Sequence, residues 1–109
     1  MTSRSSSEKP VGVIGAGNFG TAIANILARN RKVYLYARNE KVVEQIKHKH
    51  ENRGQKMNRA IVPTHDLAFV AAECDVIFPI VPSLHFRDMM RKLSKHLHPY
   101  HILIHGGVS

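Results

Sequence analysis

The sequence predicts an α/β fold in which helices cover both faces of a mostly parallel sheet, a doubly wound architecture. Short apolar runs alternate with segments whose apolar residues recur at helical spacing. A glycine-rich turn at residues 15–20 separates the first apolar run from the first helical segment. The chain has 109 residues, 43% of them hydrophobic, which is enough for one domain with its own core. We place that domain at residues 10–105, between a polar leader at 1–9 and a tail at 106–109.

The first part of the domain predicts a strand, a helix and a second strand. Residues 11–15 are apolar, as in a buried parallel strand, and residues 32–37 are rich in β-branched and aromatic side chains. Asn18 is expected to cap the intervening helix. That helix is expected to direct one apolar face inward, made of Phe19, Ala22, Ile23, Ile26 and Leu27.

The middle of the chain gives less regular signals. Three segments follow the second strand, predicted as a helix at 40–50, an irregular basic loop at 51–64 and a short helix at 66–73. Asn39 is expected to cap the first helix, and Thr64 or Asp66 the second. The inward side chains of the first helix are expected to be Val42, Val43 and Ile46.

The last part predicts a strand, a helix and a closing strand. Residues 75–81 are apolar, although Pro79 lacks a backbone donor and indicates a strand end or an irregularity. Ser83 is expected to cap the next helix, and residues 101–105 to form a further strand. The inward face of that helix is expected to consist of Phe86, Met89, Met90, Leu93 and Leu97.

The charge balance indicates an anionic partner. The formal net charge is +8, and residues 29–59 contain ten basic and three acidic side chains. Such a stretch attracts phosphate, whether in nucleic acid, lipid or a phosphorylated small molecule. The cations are spread over several predicted elements and lack interleaved aromatic residues, so no specific nucleic-acid partner is expected.

Other function classes find little support. No apolar run reaches the ~20 residues of a membrane span, and the first ten residues lack a secretory signal. A single cysteine, Cys74, cannot form an internal disulfide and favours the cytoplasm. The histidines lack the spacing of metal ligands, so no metal site is expected. Ser83 and His85 have no acidic partner in a hydrolase pattern.

The glycine turn is the most informative motif. Gly15, Gly17 and Gly20 fit the pattern G-x-G-x-x-G between a strand and a helix, which is the dinucleotide-binding arrangement of the Rossmann fold. The first glycine permits the tight turn, the second lets a pyrophosphate approach the backbone, and the third allows the helix to pack closely on the strand. The pyrophosphate would lie at the positive end of the helix dipole.

The end of the second strand bears on the choice of cofactor. An acidic residue there binds the ribose 2′-hydroxyl of NAD, whereas an arginine suits the 2′-phosphate of NADP. This chain has Arg38 at the expected distance, and its acid, Glu40, comes two residues later. We therefore expect NADP to be favoured and NAD to be tolerated. The alternative for Arg38 is an exposed charge without a ligand.

Three segments together resemble one family. VGVIGAGNFGTAIANILARN, VYLYAR and IVPSLHF occur in the order and spacing of the N-terminal domain of bacterial-type NAD(P)-dependent glycerol-3-phosphate dehydrogenases. The resemblance covers residues 10–105. It implies hydride transfer between NAD(P)H and dihydroxyacetone phosphate or glycerol 3-phosphate in the complete enzyme, where the cofactor supplies the chemistry.

The resemblance also implies roles for single residues. Asn18 and Phe19 would contact the cofactor phosphates and the nicotinamide side, and Arg38 the adenosine end. Three residues at or just after the end of the strand predicted at 75–81 would line the cleft: Val81, Pro82 and Phe86. For Phe86 the residues alone favour a different role, that of a core aromatic at helical spacing.

One departure separates the chain from the family pattern. The family has a Thr/Ser-Lys-Gly segment after the last predicted strand and a helical domain with a second lysine, whereas no lysine follows Lys95 here. We therefore expect the chain to bind the cofactor without catalysing, with no catalytic residue of its own. Substrate binding, and any homodimer, would belong to a longer parent. The alternatives are a free-standing dinucleotide-binding module and another dehydrogenase such as a ketopantoate-reductase-like protein.

Overall fold

The computed structural model describes residues 9–104, which form a five-stranded parallel sheet with helices on both faces. Its strands are β1 (Val11–Ile14), β2 (Val33–Tyr36), β5 (Ile61–Thr64), β6 (Val76–Pro79) and β7 (Ile102–Leu103). Their order across the sheet is β5-β2-β1-β6-β7, with β1 at the centre. This confirms the predicted fold class. Most of the predicted leader, the tail and His105 lie outside the described residues.

Within residues 9–104, four helices cover the sheet, and the side chains of its inner strands point alternately into two cores. The helices are α1 (Asn18–Leu27), α2 (Glu40–Lys49), α3 (Leu67–Glu73) and α4 (Ser83–Ser94). On one face, Val13 and Leu35 pack with residues of α1 and α2. On the other face, Ile14 and Ile77 pack with residues of α3 and α4. Because strands buried on both faces have no polar side, the apolar runs of the sequence were readable. None of the described helices has the length and apolar character needed to cross a bilayer.

The predicted loop at 51–64 is wrong, since it contains three strands. Its first part is a hairpin of β3 (Glu51–Asn52) and β4 (Gln55–Lys56), and its last part is β5. In the described part of the chain, β5 lies at the sheet edge and pairs with β2 alone, and Pro63 lies within it. Proline is tolerated on an edge strand because one side needs no backbone donor. A proline among only four residues is not typical of a strand, so the sequence did not indicate β5.

Two of the predicted helix caps are wrong and two are confirmed. Asn18 and Ser83 are the first helical residues, and the cap positions before them are occupied by Gly17 and Pro82. Asn39 caps α2, with its side chain accepting a hydrogen bond from the backbone N–H of Lys41 at 2.8 Å. Asp66 caps α3 in the same manner, accepting from the N–H of Phe69 at 3.1 Å.

The inward face of α1 also differs from the prediction. Phe19 is 42% exposed and Ile26 is 56% exposed, while Gly20, Thr21 and Ala24 are buried. The helix lies so close to the sheet that only small side chains fit at the contact, and the larger Ile23 and Leu27 pack at its margin. For α4 the predicted face is confirmed, with Met89 and Leu93 buried; Phe86, Met90 and Leu97 are partly buried against the same core.

Candidate functional site

The glycine turn between β1 and α1 is built on two positions that admit no side chain. Gly15 has a φ of +118°, and a Cβ there would overlap the backbone carbonyl of Ile80, the residue that follows the neighbouring strand β6. A Cβ on Gly20 would overlap the carbonyl of Gly15 itself. Both glycines are therefore required by the fold, because L residues disfavour the first backbone conformation and steric overlap excludes the second side chain.

Gly17 differs from its two neighbours in the motif. Its φ of −77° and ψ of −170° suit ordinary residues, and a Cβ built on it meets no described atom within 4 Å. It occupies the cap position of α1, so the helix begins there without a capping side chain. The backbone N–H groups of a first helical turn have no intrahelical partners and favour anions. Open space in front of this turn is thus an observed property of the chain.

The back of the glycine turn is held by the β3–β4 hairpin. The side chain of Asn52, only 5% exposed, donates to the carbonyl of Ala16 and to the hydroxyl of Thr21, both at 2.9 Å. Farther along α1, Asn25 donates to the carbonyl of Lys56 and accepts from the N–H of Asn58, both at 2.8 Å. Hydrogen bonds at four points therefore fix the hairpin segment against the turn and helix.

A cleft of about 330 Å³ opens at the carboxyl ends of β1, β2 and β6, beside the glycine turn. Ligands of open α/β sheets bind at this edge, and the volume lies at the small end of the range for small-molecule sites. The turn contributes Gly15, Ala16 and Gly17 to the wall. Apolar side chains line another part of the cleft: Val42, Leu67, Ile80, Val81 and Met89.

The structure brings four of the eight predicted site residues into the cleft wall, namely Gly15, Gly17, Arg38 and Pro82. The other four lie around it. Asn18 and Phe19 are exposed on the first turn of α1, and Gly20 is buried beneath the turn. Phe86 is partly buried and packs against the core formed by α3 and α4, which matches the alternative given for it.

Several polar and charged residues of the cleft were missed in the sequence analysis. Arg53 comes from the hairpin, and His85, Asp88 and Lys92 come from one face of α4. Asp88 pairs with Lys92 at 3.3 Å and with Arg91 at 3.4 Å, in an exposed setting where such pairs contribute little to stability. The i, i+3 and i+7 spacing on α4 was a readable signal, and so was Gly54, because glycine is typical of two-residue hairpin turns.

The lone cysteine lies away from the cleft. Cys74 follows α3 and is completely buried in the core beneath α3 and α4. Burial and, to a smaller extent, the nearby carboxylates of Glu73 and Asp75 raise the pKa of its thiol to about 12. The thiol is therefore a neutral group of the core.

The matched family covers nearly the whole domain. A model described as "NAD-dependent glycerol-3-phosphate dehydrogenase N-terminus" matches residues 10–107. Among curated proteins, the chain is 37% identical over 94 residues to glycerol-3-phosphate dehydrogenase (NAD(P)+) 2 of Sphingopyxis alaskensis, covering 83% of this chain and 28% of the relative. It is 40% identical over 92 residues to the corresponding Teredinibacter turnerae enzyme, covering 80% and 27%.

The fold matches solved structures as well. The crystal structure of glycerol-3-phosphate dehydrogenase from Coxiella burnetii superposes with a TM-score of 0.84 at 23% identity, covering 91% of this chain and 32% of that one. At that identity the likeness shows the fold alone. The chain thus spans between a quarter and a third of the length of these proteins.

Proposed function

Because this chain belongs to the NAD-dependent glycerol-3-phosphate dehydrogenase family, whose N-terminal part it matches, we propose that its cleft binds a nicotinamide dinucleotide. The observation that carries the proposal is Gly17. The fold requires glycine at positions 15 and 20, but it has room for a side chain at position 17. A glycine that the fold does not need, at the start of a helix and in the wall of a cleft, is explained by a ligand that approaches the backbone closely.

The orientation of the cofactor follows from the two sides of the cleft. Its pyrophosphate lies against the first turn of α1, and its adenosine reaches the end of β2, where Arg38 replaces the acid that would bind a 2′-hydroxyl. We infer that NADP is preferred over NAD. Pro82 and Val81, beyond β6, flank the other half of the cleft. Asn18 and Phe19 lie beside the turn. Rotation of their side chains would bring them to the phosphates or to the nicotinamide end of the cofactor.

The dehydrogenase reaction is assigned to relatives that are longer than this chain. Their names assign them glycerol-3-phosphate dehydrogenase activity with NAD(P)+. We propose that this chain supplies the cofactor half of the same reaction, hydride transfer between NAD(P)H and dihydroxyacetone phosphate or glycerol 3-phosphate. Catalysis then needs parts that these relatives have beyond the aligned segment. We place the protein in the cytoplasm, where a buried, unpaired cysteine stays reduced.

Calorimetric titration of the purified chain with NADPH and, separately, NADH tests the proposal. We expect micromolar binding of NADPH that Gly17→Val abolishes and Arg38→Ala weakens. Absorbance at the reduced-nicotinamide band, followed with dihydroxyacetone phosphate present, is expected to stay constant. Failure to bind either dinucleotide would contradict the binding function, and turnover by the chain alone would contradict the division of the reaction.

A further inference from the structure

We propose that Arg53 is a second guanidinium that, together with Arg38, binds the 2′-phosphate of NADPH and selects it over NADH. The inference rests on the proposed dinucleotide function and extends it to a residue outside the glycine motif and the strand end. Arg53 lines the same cleft as Arg38, although the two come from different connections of the chain.

The backbone of the hairpin turn places Arg53 in an unfavourable conformation. Its φ is +53°, and that of Gly54 is +79°, as in the two-residue turns that favour Asn-Gly or Gly-Gly. Arginine is a poor choice for the first of these positions, because its Cβ crowds the backbone when φ is positive. The turn would form more easily with glycine or asparagine, so the side chain of Arg53 has a use other than shaping the turn.

The position of Arg53 is fixed relative to the pyrophosphate site. The preceding residue, Asn52, is the one whose side chain bonds to Ala16 and Thr21 in the glycine turn and helix. A further hydrogen bond, from the N–H of Met57 to the carbonyl of His50 at 2.7 Å, closes the base of the hairpin. The guanidinium is therefore carried by a segment that moves with the turn, which limits the entropy lost on binding.

The charges around the two arginines favour a dianionic ligand. Within residues 9–104, neither Arg38 nor Arg53 forms an ion pair with a carboxylate. Glu40, the acid nearest to the end of β2, instead contacts His65 at 2.9 Å and does not line the cleft. Two guanidiniums without carboxylate partners suit a phosphate monoester, to which arginine binds in a bidentate manner. A ribose hydroxyl would gain little from them.

Affinities of four proteins for two ligands test this inference. The chain, Arg53→Gln, Arg53→Gly and the control Lys56→Gln are titrated with NADPH and NADH. Lys56→Gln removes one positive charge from the same hairpin at an exposed position outside the cleft wall. We expect both Arg53 variants to weaken NADPH by about tenfold while NADH changes by less than twofold. The control is expected to change both ligands equally and only slightly.

Arg53→Gly tests the role of the Arg53 side chain even if the glutamine variant folds poorly. Glycine suits the positive φ, so this variant is expected to melt at or above the temperature of the original chain while losing its preference for NADPH. Binding of 2′,5′-ADP and 5′-ADP provides a second readout, with only the first weakened. Equal losses for NADPH and NADH, or no loss, would overturn the role of Arg53 while leaving the dinucleotide site intact. Binding of neither dinucleotide by the original chain would overturn the proposed function and this inference with it.

Discussion

Replacing Gly17 by alanine tests whether this glycine is required for folding or for ligand binding. The new methyl group projects about 1.5 Å from the backbone into space where no described atom lies within 4 Å. The backbone at this position requires no positive φ. An alanine cap is somewhat less favourable than glycine, while the reduced freedom of the unfolded chain acts in the opposite direction. We therefore expect the free energy of unfolding to change by less than about 1 kcal/mol.

The same methyl group has a large expected effect on binding. It occupies the space through which a pyrophosphate would approach the first turn of α1, and it displaces the phosphates by about the length of the added bond. Loss of two charge-assisted hydrogen bonds costs about 3 kcal/mol or more, which corresponds to about 100-fold in Kd. Calorimetry with NADPH measures the affinity, and urea unfolding followed by circular dichroism measures the stability. An unchanged affinity, or a chain that no longer folds, would refute the reasoning.

Four further outcomes follow from single contacts. Gly20→Ala is expected to lower the free energy of unfolding by about 3 kcal/mol, because its methyl group overlaps the carbonyl of Gly15; a urea melt close to that of the original chain would contradict this close approach. Asn52→Ala is expected to cost about 1–3 kcal/mol in the same assay, since it leaves buried polar atoms at the glycine turn without their donor. His101→Phe keeps a ring but removes hydrogen bonds at 2.7 and 2.8 Å, so thermal unfolding is expected to show a loss of about 1–2 kcal/mol. For Cys74 the raised pKa means that the thiol ionises in the unfolded chain above about pH 9.0 but not in the folded one, so stability is complete below that pH and falls by up to about 1.4 kcal/mol per unit as pH rises towards 12. Urea melts from pH 8 to 10.5 are expected to show that slope, and Cys74→Ala is expected to remove it.

The sheet could be predicted from the sequence wherever the residues of a strand are themselves apolar enough to indicate burial. The strands β1, β2 and β6 are apolar on both faces, because helices cover both, and their runs stand out from the polar connections. The strand β5 has the same kind of burial on alternate residues, but it is four residues long and contains Pro63. A short edge strand carries little pattern of its own. It is recognised only through its pairing with β2, which is a tertiary property.

The glycine turn was predictable, whereas its surroundings were not. Three glycines at fixed spacing describe the turn locally, and the requirement for Gly15 and Gly20 agrees with their expected roles in turning and packing. The inward face of α1 depends on how near the helix approaches the sheet. Because the backbone at Gly20 contacts Gly15, the residues with large side chains, Phe19 and Ile26, are turned outward. Helical spacing identifies apolar positions but not how closely the helix lies on the sheet, so the predicted inward face was right for Ile23 and Leu27 and wrong for Phe19 and Ile26.

The β3–β4 hairpin could not be predicted from its local sequence, because its role depends on contacts with residues distant in the chain. The edge of a parallel sheet offers only the residues at strand ends, so the remaining walls of a cleft must come from the connections between strands. Here the connection from α2 to β5 folds back on the glycine turn, with Asn52 buried against it and Arg53 at the cleft. Asn52 ends the short strand β3 and Arg53 is the first residue of the turn, so the strand holds the hairpin in place with one side chain while the turn brings the next one to the cleft. The polar residues of this segment suggested a solvated loop. The segment instead stabilises the glycine turn and forms part of the cleft wall.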